Sequence, residues 1–121
     1  MAATAIASPV ALAQSDDAAV VQAHVNAYRS GSLDAFVATF AKDATVTANG
    51  LTATGHAEIR KLYSLNFKPG APKIKIVESG LSGPNVYINA AYVFKDGREM
   101  CCSYSEYTIK NGKITYLVSS G

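Results

Sequence analysis

Apolar residues recur at helical spacing in three segments of the first half of the chain. The first segment opens with Ser15, Asp16 and Asp17, a hydroxyl N-cap followed by acids that the dipole of a helix favours. Apolar residues then repeat every three to four positions until Gly31. We therefore expect a first helix that begins at Ser15, with His24 at the border of its buried face.

Two further segments share this periodicity. Ser32 is a suitable N-cap for a second helix, whose apolar residues continue to Phe40, so this helix is expected to end near Lys42. Residues 56–67 (HAEIRKLYSLNF) predict a third helix that stops before a Pro-Gly pair. The three helices carry enough apolar surface to cover one side of a sheet.

Strand patterns fill most of the remaining chain. Residues 44–48 (ATVTA) are followed by an Asn-Gly pair, a dipeptide typical of tight hairpin turns. Four longer runs follow, and the turns between them include Asp-Gly and Asn-Gly pairs. These predicted strands cover residues 73–81, 86–94, 98–109 and 113–118.

Helices that precede a run of strands predict an α+β fold in one domain. We expect three N-terminal helices packed on a curved antiparallel sheet. The 121 residues leave no room for a separate cofactor-binding domain, and we expect no cofactor. With 49% apolar and 17% charged residues the chain is not typical of disorder. No uncharged apolar run reaches the ~20 residues that a membrane-spanning helix requires, so we expect no membrane insertion.

Charge and cysteines exclude two further classes. Nine of the 11 basic residues lie in residues 60–121, but there they alternate with apolar residues or flank turns, as at the edge of a sheet. We therefore expect no nucleic-acid partner. Cys101 and Cys102 are neighbours whose side chains would point to opposite faces of a strand, so we expect no structural disulfide. With only two histidines, the chain has no metal-ligand spacing, and we expect no metal.

Residues 1–14 (MAATAIASPVALAQ) are uncharged and rich in alanine. They end in Ala-Leu-Ala before Gln14, which resembles a signal-peptidase site, although the usual positive charge is missing. Two interpretations stay open. This segment is either an export signal that starts upstream of Met1, which would place the protein outside the cytoplasm, or a disordered or helical tail.

The order of secondary-structure elements and several short sequence segments resemble the nuclear transport factor 2-like superfamily. This superfamily includes SnoaL-type polyketide cyclases and ketosteroid isomerase. The resemblance rests on residues 20–22 (VVQ), 30–47 (SGSLDAFVATFAKDATVT), 55–63 and 111–114 (NGKI). It implies a cone-shaped, cystatin-like roll with one apolar pocket between the sheet and the helices, and a homodimer that pairs sheet to sheet. It does not specify a reaction, because this fold hosts enzymes and non-catalytic binding modules.

The same resemblance suggests site residues. Glu106 falls where the isomerase has a protonated acid, His24 where it has a tyrosine donor, and Tyr63 where it has a second pocket tyrosine. Ala48 falls where the isomerase has its aspartate base, so steroid isomerisation by that route is disfavoured.

Strand parity supports an inward Glu106, because it shares one face of strand 98–109 with Met100, Cys102 and Tyr104. A one-residue bulge would instead turn it outward. By the same parity Tyr107, together with Tyr92 and Tyr116, is expected on the outer face or at a subunit contact. The residues expected to form the apolar wall of the pocket are Met100, Cys102, Tyr104, Phe40, Ala91 and Val93.

We expect this pocket to bind a small apolar molecule. In the catalytic hypothesis Glu106 and His24 exchange a proton, while Tyr63 donates to a developing oxyanion in an isomerisation, cyclisation or dehydration. The alternative is a non-catalytic ligand-binding or dimerisation module, in which His24 is a packed core residue.

Overall fold

The computed structural model describes residues 9–120 of the chain, and side chains from Asp16 onward. Three helices and a short 3₁₀ turn precede or interrupt six strands, and every predicted strand is present within a few residues of its expected bounds. The helices are α1 (Pro9–Ser30), α2 (Leu33–Ala38) and α3 (His56–Tyr63), which continues as the 3₁₀ turn Ser64–Phe67. The strands are β1 (Phe40–Ala48), β2 (Leu51–Thr54), β3 (Lys73–Ser82), β4 (Asn85–Val93), β5 (Glu99–Lys110) and β6 (Lys113–Ser120).

The six strands form one curved sheet in the order β2-β1-β6-β5-β4-β3. Strands β3 to β6 form the expected antiparallel meander, and β1 and β2 form the expected hairpin. One part of the prediction is wrong: β1 and β6 pair in parallel, so the sheet is mixed. The chain returns from the far edge of the sheet through the meander, and its last strand lies beside the first in the same direction. The α+β cone with helices on one face is confirmed.

The first two helices differ from their predicted bounds. Helix α1 begins at Pro9 rather than at Ser15, and residues 1–8 of the predicted export segment lie outside the described residues. Helix α2 ends at Ala38, because the Thr39 hydroxyl donates to the carbonyl of Phe36 and the chain then enters β1. No helix in the described range 9–120 is long and apolar enough to cross a membrane.

Asn-Gly pairs form the two tight turns that the sequence predicts. Asn49 and Gly50 have φ angles of 51° and 85°, and Asn111 and Gly112 have φ angles of 53° and 76°. Positive φ at both central residues matches the twist of the flanking strands, and this conformation costs asparagine and glycine little. These turns fix the register of β1 against β2 and of β5 against β6.

A continuous apolar core lies between the helices and the concave face of the sheet. Val25 of α1 and Ile59 of α3 are fully buried, as are Ile114 of β6 and Val46 of β1. Phe36 of α2 is 1% exposed, and its ring contacts those of four other aromatic residues as well as His24. Burying such side chains stabilises the fold by ~1.5–3 kcal/mol each, so the helices are held to one face of the sheet.

Strand β5 contains a bulge that decides which side chains reach the interior. Ala90 pairs with Ser103, but Tyr92 pairs with Met100, so two residues of β5 lie opposite the single Ala91. The two residues opposite Ala91 are Cys101 and Cys102, one more than regular pairing allows, so side-chain parity along β5 changes at this point. The side chains of Cys101 and Cys102 lie side by side at the bulge, and both residues are exposed.

Candidate functional site

A cavity of about 80 Å³ lies between α1, the end of α3 with its 3₁₀ turn, and the concave face of the sheet. Its wall contains one histidine, four tyrosines, three serines, one asparagine and three apolar side chains. Among the described residues that line it, none is acidic or basic apart from the histidine. The lining residues are His24, Tyr28, Phe36, Tyr63, Asn66, Ile74, Tyr92, Ser103, Ser105, Tyr107, Leu117 and Ser119.

His24 is a buried member of this cavity wall. It lies on the same side of α1 as Val21, Val25 and Tyr28, and its side chain is only 3% exposed. Its Nδ1 atom is 3.0 Å from the hydroxyl oxygen of Thr39, just past the end of α2. Because burial disfavours the charged imidazolium, the pKa of His24 is lowered from 6.5 to about 3. The imidazole is therefore neutral at physiological pH.

Four tyrosines converge on the cavity from different elements. Tyr28 comes from α1, Tyr63 from the end of α3, Tyr92 from β4 and Tyr107 from β5. Burial raises the pKa of Tyr28, of Tyr63 and of Tyr107 above the ordinary value, and a neighbouring phenol adds to each shift. The hydroxyls of these three tyrosines therefore remain protonated and act as hydrogen-bond donors or acceptors.

Hydroxyl and amide groups complete the polar lining. Asn66 donates from its side-chain nitrogen to the Tyr28 hydroxyl at 3.3 Å. Ser105 and Ser119 bring their hydroxyl oxygens within 3.0 Å of each other across β5 and β6. Ala48 of β1 pairs with Ser119, so the position where the isomerase has its base holds a methyl group beside this serine pair.

The prediction that Glu106 faces the pocket is wrong. Ser103, Ser105 and Tyr107 are the buried residues of this strand, and Glu106 lies on the opposite, outer face of the sheet. One carboxylate oxygen accepts from Asn85 at 2.8 Å and the other from the Tyr104 hydroxyl at 2.7 Å. Both hydrogen bonds lower the pKa of Glu106, and the bond from Asn85 has the larger effect. The sheet separates Glu106 from His24, so the two do not form a pair.

The β5 bulge is the physical reason for this error. Met100, before the bulge, pairs with Tyr92 of the cavity wall, whereas Cys102 and every second residue beyond it lie on the outer face. Parity carried unbroken from Met100 therefore selects the wrong residues for the remainder of the strand. The bulge was the alternative that the sequence left open.

The expected apolar wall is largely absent from the cavity. Met100 is 56% exposed, Cys102 is exposed, and Tyr104 stacks on Tyr87 on the outer face with ring centroids 5.7 Å apart. Phe40 is buried edge-on against His24, with ring centroids 5.3 Å apart, and supports the cavity without lining it.

Ala91 and Val93 of β4 are also outside the cavity wall. Ala91 is buried opposite the bulge, and Val93 belongs to a separate surface groove with Lys73 and Phe94. Of the nine predicted site residues, the structure brings only His24 and Tyr63 together in the cavity.

Several lining residues were missed from the sequence. Tyr92 and Tyr107 were expected on the outer face, which is wrong, whereas Tyr116 does lie there and is 40% exposed. Tyr28 had a usable signal, because it shares the buried stripe of α1 with Val21 and Val25. Nothing in the local sequence distinguishes the serines of the cavity from those of turns.

The described residues contain no group of three or more histidine, cysteine, aspartate or glutamate side chains close enough to hold a metal ion. The Nε2 atom of His56, the second histidine, donates its hydrogen to the carbonyl oxygen of Phe40 at 2.8 Å, because a carbonyl can only accept. This bond fastens the start of α3 to β1.

A six-stranded curved sheet that encloses a cavity with its helices defines a nuclear transport factor 2-like α+β cone. The family profile of the SnoaL-like domain matches residues 21–117. The chain therefore belongs to the SnoaL-like domain family. None of the curated proteins compared with the chain matches it.

Solved structures agree on the fold. The candidate polyketide cyclase SMa1630 from Sinorhizobium meliloti is 24% identical with a TM-score of 0.73, covering 84% of this chain and 93% of its own. A protein of ketosteroid isomerase-like fold from Catenulispora acidiphila, in complex with trimethylamine, is 20% identical with a TM-score of 0.69, covering 83% and 82%. TerC, co-crystallised with polyporic acid, is 16% identical with a TM-score of 0.71, covering 86% and 89%.

Proposed function

We propose that this protein binds a small uncharged molecule in the cavity between α1 and the sheet. The observation that supports this most strongly is the wall itself. It combines a buried neutral His24 with four tyrosines, and the described residues that line it include no carboxylate, lysine or arginine. A polar but uncharged enclosure favours a ligand that forms hydrogen bonds without carrying net charge, because a buried unpaired charge is costly. This revises the expectation of a purely apolar ligand.

The size of the cavity restricts the ligand further. Its volume of about 80 Å³ is below the ~150 Å³ of an engineered cavity that binds benzene and below the ~300–1,000 Å³ of drug-sized sites. Roughly three to five non-hydrogen atoms can therefore be enclosed without rearrangement. Trimethylamine, bound by the Catenulispora acidiphila protein, has four, whereas polyporic acid, crystallised with TerC, is far larger.

Non-catalytic binding fits the site better than the predicted acid–base chemistry. Glu106 lies on the other side of the sheet, and a histidine with a pKa of about 3 is a weak proton acceptor near neutral pH. A cofactor-free isomerase, cyclase or dehydratase remains the second candidate, because His24 and Tyr63 still share one cavity. In that case Tyr63 would donate to an oxyanion while His24 accepts a proton from the substrate.

A fragment titration tests the binding proposal. ¹⁵N-labelled protein would be titrated with neutral molecules of three to six non-hydrogen atoms while backbone amide shifts are followed. We expect saturable shifts at Ser103, Ser105 and Tyr107. For four atoms, the best attainable free energy of about 6 kcal/mol corresponds to a Kd no tighter than roughly 40 µM.

Matched variants localise the response. Tyr63→Phe removes one hydroxyl from the wall and should weaken binding, whereas Glu106→Gln alters only the outer face and serves as the control. Shifts confined to other surfaces, or equal losses in both variants, would contradict the proposal.

The outer face of the sheet is the surface on which the predicted homodimer would form. Tyr116 and Val118 alternate along β6 on this face and are 40% and 38% exposed, close to the stacked rings of Tyr87 and Tyr104. We propose that a second copy covers this face. Sedimentation of the wild type and of Val118→Lys should show a dimer that the lysine weakens, and a wild-type monomer at high concentration would contradict it.

A further inference from the structure

The hydrogen bonds around His24 determine which of its nitrogens carries the proton. The Thr39 hydroxyl donates its single hydrogen to the carbonyl of Phe36 at 2.7 Å, and a carbonyl can only accept. The contact of 3.0 Å between Thr39 and His24 Nδ1 must therefore use a hydrogen from the imidazole. Nδ1 carries the proton, and Nε2 of the neutral ring is a bare lone pair.

The Nε2 lone pair of His24 faces the cavity. Nε2 has no hydrogen-bond partner among residues 16–120, whose side chains the structure describes, although His24 is only 3% exposed and forms part of the cavity wall. Among the described residues, every side-chain nitrogen or oxygen that is fully shielded from solvent has a hydrogen-bond partner. An atom without a partner, such as Nε2, must therefore be accessible. Nε2 is therefore reached from the cavity, where a ligand can supply the missing donor.

Other polar groups of the wall offer hydrogen-bond donors, which complement the acceptor Nε2. The Tyr28 hydroxyl already accepts from Asn66, so its own hydrogen is free to donate to a ligand. Tyr63 is protonated and lies in the same wall. The cavity thus presents an acceptor at His24 and phenol donors at Tyr28 and Tyr63.

From this arrangement we propose that His24 Nε2 selects ligands that carry a hydroxyl group, so that the occupant is a short-chain alcohol or the hydroxyl-bearing end of a longer one. A hydroxyl donates to Nε2 and accepts from a tyrosine with a single atom, whereas a ketone or an ether leaves the buried lone pair unpaired. This inference rests on the proposed binding function and adds the chemical class of the ligand. Selection acts through the cost of an unsatisfied buried acceptor.

Isopropanol and acetone provide a matched test, because both have four non-hydrogen atoms in the same branched skeleton and only isopropanol has a donor. Each would be titrated into ¹⁵N-labelled protein, and the two Kd values compared from amide shifts at the cavity wall. We expect isopropanol to bind at least ~10-fold more tightly. In His24→Phe, which keeps an aromatic ring and removes the lone pair, the ratio should fall towards one.

A second pair of variants tests the tautomer. Thr39→Val removes the acceptor that holds the Nδ1 hydrogen, and it should relax the preference for the alcohol, whereas Thr39→Ser retains the hydroxyl and should preserve it. Imidazole ¹⁵N shifts of the wild type should show a protonated Nδ1 and an unprotonated Nε2. A protonated Nε2 would overturn the inference without any ligand.

The outcomes distinguish the role of Nε2 from the small-molecule binding on which it depends. Isopropanol selectivity that disappears in His24→Phe supports both. Equal binding of acetone and isopropanol at the cavity wall overturns the role of Nε2 and leaves small-molecule binding intact. If neither these probes nor the larger neutral fragments produce saturable shifts at the cavity, the binding proposal fails and the inference fails with it.

Discussion

Acid should destabilise this protein through His24. In the folded state burial lowers the pKa of the imidazole from 6.5 to about 3, whereas in the unfolded chain it regains its ordinary value. Between these two values the unfolded state binds one more proton than the folded state. The free energy of unfolding therefore decreases as the pH falls through this window, and His24 has no such effect above it.

The magnitude follows from proton linkage. One proton of difference changes the free energy of unfolding by roughly 1–1.5 kcal/mol per pH unit. Across the interval from 6.5 to about 3 the loss approaches roughly 4–5 kcal/mol, against a total of ~5–15 kcal/mol for a typical domain. We therefore expect unfolding to begin within the window, before His24 is protonated in the folded state.

Urea unfolding followed by circular dichroism, at pH values from about 7.5 to about 4.5, measures this slope. His24→Phe removes the titrating group, so its free energy of unfolding should fall less steeply with acid than that of the wild type. Because carboxylates titrate in both proteins, the difference between the two curves isolates the histidine. His56→Gln is the matched control, since it removes the other histidine and should retain the steep slope. Parallel curves for wild type and His24→Phe would refute the reasoning.

Three further predictions concern the core, the outer face and a turn. Phe36→Ala should lower the free energy of unfolding by about 3–5 kcal/mol in urea, because the ring is 1% exposed among five ring contacts; a loss under about 1 kcal/mol would contradict this packing. Glu106→Gln should leave the Kd of cavity fragments within about twofold of wild type by NMR titration, and a tenfold loss would mean that the carboxylate reaches the ligand. Gly112→Ala should cost about 1 kcal/mol of stability in urea, because φ is 76° there; an unchanged midpoint would show that the turn adapts.

Local chemistry predicts much of this fold. The Asn-Gly pairs at residues 49–50 and 111–112 fix hairpins because few other dipeptides adopt their backbone angles, and both hairpins are present. Where two structures satisfy the same local pattern, the sequence misleads. Phe40 continues the helical stripe of α2, but it is equally buried as the first residue of β1, where it pairs with Ile114.

The parallel pairing of β1 with β6 has no local signal at all. These strands are joined only through the hydrogen bonds of the completed sheet, which depend on how the whole meander folds back. Spacing and turn chemistry describe neighbours in sequence, so they predict the meander and leave this contact open.

The site was harder to predict than the fold because its composition depends on register. His24 and Tyr63 lie on helices, whose periodicity survives small errors, and both reach the cavity. Glu106 and Tyr107 lie beyond the bulge, where one uncounted residue exchanges inside and outside. The sequence therefore identifies a pocket and two of its groups but assigns it an acid that belongs to the outer surface.

The strand β5 carries two chemically distinct sets of side chains, and the register of its pairing determines which set is internal. Met100 and Ser103 both face the helices, because Cys101 and Cys102 together lie opposite Ala91. A slip of the pairing by one residue beyond this point would turn Tyr104 and Glu106 towards the helices and expel Ser105 and Tyr107. Deleting one of the two cysteines would instead leave a regular strand with Ser105 and Tyr107 still inside. The neutral chamber is therefore protected by the pairing of β5 with its neighbours, and a shorter strand would preserve it without the irregularity.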